Sequence, residues 1–257
     1  MRRLAAILLW ITGVTCLASG SALAALYEPN PANWGTLLPN SSDCDDCFDG
    51  PIAFSGVGQS LNFFGGTYSD LYVGSNGYVT FGAGATNFTP SPLNVQTVGK
   101  MIAGLYTDLD SRSDANSNVY VNTSTPGQII VTYQQLGHFS HDYAVRSTFQ
   151  IVIRSDQFVV PPGEGRIGFF YESITDAATA SAGFGDGLAA VNPGEVAFYN
   201  GPANGLSNSQ PRWYNLSGGI PVVQSAEPIP TLSEWAMIAL SGMLAFASMV
   251  MLRRQAG

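Results

Sequence analysis

The sequence predicts an all-β, antiparallel, sandwich-like domain, and three observations carry that expectation. Glycine and proline punctuate the chain at short, fairly even intervals, with 29 Gly and 15 Pro in 257 residues, which suits short strands joined by turns. Asn76-Gly77 and Pro126-Gly127 each stand between β-rich runs. Stretches of helical period are nearly absent from the body, whereas residues 144–156 alternate with period two.

The elements follow in order. In "LYVGSNGYVTFG" (71–82), Asn76-Gly77 tolerates positive φ and predicts a hairpin. "NVYVNTSTPGQIIVTYQQL" repeats the design, with runs at 119–122 and 128–134 around Pro126-Gly127. In "AVRSTFQIVIRSD", Val145, Ser147, Phe149, Ile151 and Ile153 share one face. Arg146, Thr148, Gln150 and Arg154 share the other, with Val152 as the exception, so one face is expected buried and the other wet. "GRIGFFYESI" groups Ile167, Phe169 and Tyr171, and Pro161-Pro162-Gly163 separates the two runs as a hairpin-like connection. Shorter runs lie at 182–185 and 195–200.

Both ends differ from this body. Arg2 and Arg3, an apolar run at 4–18 and an Ala22-Leu23-Ala24 site form a secretory signal peptide, with signal peptidase expected to cut after Ala24. That leaves a β-rich domain at 25–215, then a Gly/Pro-containing linker at 216–228. A tail at 229–257 has an uncharged run at 236–252, expected to span a membrane, closed by Arg253 and Arg254. Trp235 suits one interface, and the arginine pair stays inside while the body lies outside.

Between 25 and 228 there are six Lys/Arg against seventeen Asp/Glu. This excludes a basic stripe for nucleic acid and argues against adsorption to anionic lipid. In an exported protein, Cys44 and Cys47 are expected to form a disulfide. Their aspartate-rich flanks oppose a low-pKa redox thiol, and a zinc site lacks a second pair. "TDLDSRSDANSN" offers Asp108, Asp110 and Asp114 as candidate calcium ligands without matching an EF-hand. The loop "DCDDCFDG" is a second acidic candidate. His138 and His141 could flank a metal, but read more simply as part of a polar loop. No G-x-S-x-G elbow or phosphate loop is present. Tyr143, Tyr199, Trp213 and Tyr214 could stack on sugars or cover the core.

The order of "LYVGSNGYVTFG", "MIAGLYTDLD", "STFQIVI", "GRIGFFYESI" and "ASAGFGDG" resembles the extracellular domain shared with nidogen, the NIDO domain, over about residues 63–198. Leu105-Tyr106-Thr107 stands where that family more often has a tryptophan. The resemblance implies an extracellular, non-enzymatic module linked to cell–matrix adhesion. Ile229, Pro230, Thr231, Leu232 and Trp235, with the apolar run and Arg253-Arg254, resemble the IPTL-CTERM sorting signal, a relative of PEP-CTERM tails of Gram-negative bacteria. Ala236 stands where glycine is common. This resemblance implies an exosortase-type transpeptidase as partner. The destination it implies runs from an inner-membrane-anchored precursor to the cell surface or extracellular matrix, with exopolysaccharide or matrix as further partners. No cofactor is expected unless calcium binds. A carbohydrate-binding or carbohydrate-cleaving protein and a calcium-stabilised structural protein remain open beside this reading.

Overall fold

The computed structural model describes residues 25–93, 99–188, 197–206 and 212–223. The expected signal peptide (1–24), membrane span (236–252) and sorting residues lie outside them. Among the described residues, no helix is long and apolar enough to cross a membrane.

Two antiparallel sheets form a sandwich. The larger is ordered β1 (Thr36–Leu37), β9 (Asn118–Asn122), β10 (Gln128–His138), β11 (Asp142–Arg154), β12 (Ile167–Ile174), β15 (Arg212–Ser217), β16 (Ile220–Val223), with the short β8 (Leu109–Asp110) also pairing β10. The smaller is ordered β14 (Ala197–Pro202), β13 (Thr179–Gly185), β7 (Met101–Tyr106), β6 (Tyr78–Thr80), β5 (Asp70–Gly74), β2 (Phe48–Ala53). A separate hairpin joins β3 (Leu61–Phe63) to β4 (Gly66–Tyr68). The hairpins read from Asn76-Gly77 and Pro126-Gly127 are present: Val73 pairs Val79, and Val121 pairs Val131.

The core lies between the inner faces, where Phe149, Ile151, Ile153, Phe169 and Tyr171 of one sheet meet Leu71, Val79, Ile102 and Phe184 of the other. Buried hydroxyls tie the layers together, because a phenol in an apolar interior needs a partner. Tyr133 donates to the carbonyl oxygen of Tyr78 at 2.9 Å, and Tyr171 to that of Gly104 at 2.8 Å.

One expectation is corrected here. The second face of β11 is not wet. Thr148, Gln150, Val152 and Arg154 are all buried. An N-terminal strap lies across that face. Tyr27 packs on Phe170 and Trp213, and the Gln150 amide exchanges two hydrogen bonds with the backbone of Glu28, at 2.9 and 3.0 Å. The outer face of the smaller sheet is covered too, with Tyr78, Met101 and Tyr106 clustered around Leu93 and Ala85. The centre of each sheet's outer face is therefore covered by a segment that is not itself a strand of it.

A candidate cation site at one end of the sandwich

One end of the sandwich gathers the loop before β2, the β5–β6 turn, residues 107–117 and the β10–β11 turn. The tripeptide Ser75-Asn76-Gly77 organises it. Gly77 has φ +81 and sits so close to the Leu105 carbonyl that a Cβ would collide with it, so only glycine fits. Its own carbonyl accepts the amides of Gly104 and Leu105 at 3.0 and 3.1 Å. Ser75 Oγ accepts the Cys47 amide at 3.0 Å and donates to the Asp45 carbonyl. Buried Asn76 donates to Asp46 Oδ1 at 2.8 Å and accepts the Leu109 amide at 2.7 Å.

Cys44 and Cys47 are joined in a disulfide. Ser111 Oγ holds the same loop from the other side, accepting the amides of Asp43 and Cys44 at 3.0 and 3.1 Å. Ser75, Asn76 and Ser111 thus deliver Asp45 and Asp46 to a fixed place beside Asp108. A ligand oxygen from each of these three aspartates lies within 4.8 Å of the others. Asp45 Oδ1 and Asp108 Oδ1 are buried with no hydrogen-bond partner. Burial, then the charges of Asp45 and Asp46, pushes the Asp108 carboxyl up to about 6. Burial, then Asp110, raises Asp45, against the pull of Arg112. Such a set suits a hard divalent cation, for which the three carboxylates would supply oxygen ligands.

The trio read from sequence is divided by this arrangement. Asp108 belongs to the cluster, but Asp110 and Asp114 are spent on arginines. Asp110 is fully buried and receives Arg112 through Nε at 3.0 Å and Nη2 at 2.6 Å, with the His141 amide at 3.1 Å. Burial would raise its carboxyl, but those donors outweigh it and hold it below the usual range. Asp114 takes the Arg146 guanidinium and the Ser117 hydroxyl. Asp45 and Asp46, from the second acidic loop, take their places. Arg112 lies in the same stretch of sequence and was the visible signal. Arg146 is 32 residues away from Asp114 and gave none.

The histidines do not meet on one ion. His138 Nδ1 lies 2.9 Å from buried Asp176, and His141 Nδ1 lies 3.9 Å from Asp110. The aromatic residues offered for sugar stacking all make packing contacts. Tyr214 is in the core, Trp213 covers Arg154 and Phe170, Tyr199 packs against the core, and Tyr143 lies under Arg146.

Two family models match the chain. The first, described as NIDO related, covers residues 21–209, and the second, the IPTL-CTERM motif, covers 227–255. Neither the curated proteins nor the solved structures yield a match. The first match includes the Ser75-Asn76-Gly77 adapter and the strands that meet at it. It also takes in most of the sandwich, and on that extent the chain belongs to the NIDO-related family.

Proposed function

We propose that this protein is an exported, non-enzymatic surface module that works in adhesion or matrix assembly in a Gram-negative bacterium. In this reading an exosortase-type transpeptidase processes its tail. The observation that carries it is the pairing, in one chain, of a NIDO-related domain with an IPTL-CTERM motif. In this reading Pro230 disfavours helix ahead of the apolar run, which suits a cut there by a membrane-embedded protease. The sandwich is compatible with a binding role: its loop-built ends are surfaces on which a partner can be held by a fixed scaffold. Surface labelling of intact cells tests it, together with cell aggregation in a strain lacking the chain. The reading expects labelled protein and reduced aggregation. Protein held inside the cell, or aggregation unchanged by the deletion, overturns it.

A second reading, stabilisation by calcium, is favoured by one observation: Asp45, Asp46 and Asp108 converge from two sequence-remote loops with two oxygens unpartnered. It expects the melting temperature to rise with calcium in the wild type and not in Asp108→Asn. Equal responses overturn it.

A further inference from the structure

The end opposite the carboxylates is chemically different. Three connections meet there: residues 54–60, residues 155–166, and the Gly218-Gly219 turn between β15 and β16. Hydrogen bonds hold them and the β3–β4 hairpin together. The Ser60 amide donates to Gln157 Oε1 at 3.0 Å, the Asn62 amide to Asp156 Oδ2 at 2.8 Å, and the Phe64 amide to the Gly219 carbonyl at 2.9 Å. The first two connections and the first residue of β16 present apolar side chains to solvent: Val57 at 101%, Val159 at 86% and Ile220 at 38% exposure. The charges among them are matched, Arg154 with Glu164 and Arg166 with Asp156. A fully exposed valine contributes nothing to the domain's own core, and three apolar side chains left exposed at the same end are groups that an apolar medium can take up.

The chain's route supplies the occupant. The described chain ends at Val223, four residues beyond Gly219, and the uncharged run begins at Ala236. The twelve residues between them span at most about 40 Å. That is close to the length of the thirteen-residue strand β11, about 43 Å at strand rise. A domain so tethered stays within roughly its own length of the bilayer, where even a weak contact is favoured by high local concentration. The acidic body does not adsorb to an anionic bilayer on its own, so the contact depends on the tether, and charge repulsion is strongest at the carboxylate end.

We propose that Val57, Val159 and Ile220 rest on the bilayer that holds the tail before it is processed, directing the carboxylate end outward. This rests on the tail being membrane-inserted, as the proposed function has it. The contact orients the module while it is anchored, and removal of the tail releases it.

The test uses the chain from Ala25 to its C-terminus, reconstituted in vesicles of phosphatidylcholine and phosphatidylglycerol that contain a spin-labelled lipid. A fluorophore is placed on a single introduced cysteine, at Val159 or at Phe139, which is exposed at the carboxylate end. Flotation reports tail insertion independently. The expected result is strong quenching at 159, little at 139, and loss of that difference in the Val57→Asp/Ile220→Asp variant. Both substitutions fall on exposed side chains, and an unchanged melting temperature checks the fold. Flotation with equal quenching at both ends overturns the orientation alone. Failure to float overturns the inserted tail and the orientation with it.

Discussion

At Asp108, burial and the neighbouring carboxylates of Asp45 and Asp46 both oppose ionisation. The folded state holds this proton more tightly than the unfolded chain, so the stability from this group is complete below pH 3.8 and lost as pH rises through about 6. In the absence of divalent cations, Asp108→Asn is therefore expected to gain stability relative to wild type from acid to neutral pH. The gain is about 1–2 kcal/mol once solvent screening is allowed for, and urea titrations at both pH values check it. Asn76 is a different case, because its side chain satisfies groups that have no substitute. Asn76→Ala leaves the Leu109 amide and an Asp46 oxygen without their partner, and a loss of about 2–3 kcal/mol is expected. Arg154 is fully buried, bonded to Gln128, Gly165, Tyr27 and Glu164, with Phe158 and Trp213 on its faces. Arg154→Lys should fail to rescue it, since one ammonium cannot reproduce a planar fork. Thermal melts of Arg154→Ala and Arg154→Lys should both fall well below wild type, Arg154→Ala by about 3–5 kcal/mol.

At the scale of elements, the sheet edges are blunted one by one. β1 has only two residues, β2 carries Pro51 at a register shift, and β14 ends on Pro202. In β16, Ser217 pairs Ile220 across the two-residue turn and Leu216 pairs Pro221. This alternation turns the Pro221 nitrogen outward, where an N–H would invite a neighbouring strand. Pro221→Val should restore that donor and raise self-association, read by light scattering at increasing concentration. Unchanged scattering would show that the proline does not guard the edge. Much of this level was legible in the sequence: Asn76-Gly77 and Pro126-Gly127 located two hairpins, and the alternation in 144–156 located β11. β2 was not legible, because Gly50-Pro51 interrupts the apolar rhythm that marks a strand. Nor was the dryness of the outer face of β11 visible. Thr148, Gln150 and Arg154 look solvated until Tyr27 and Glu28, more than a hundred residues earlier, are laid over them. The candidate site was half-legible for the same reason. The two acidic loops could be read separately, but only Ser75, Asn76 and Ser111 show that they meet.

The whole molecule has two unlike ends. One holds the carboxylates and the disulfide loop, the other the apolar tips of Val57, Val159 and Ile220. The centres of the sheets between them are covered, and the sorting motif follows at 227–255. The expected sequence of events is export, tethering by the tail, and processing near Pro230. In this account the acidic balance of the body makes the released product self-repelling. Intact mass spectrometry of the product recovered from cells tests this most directly. The account predicts a mass lacking residues 1–24 and the tail beyond the Ile229–Trp235 region. A mass that retains residues 236–257 would contradict it.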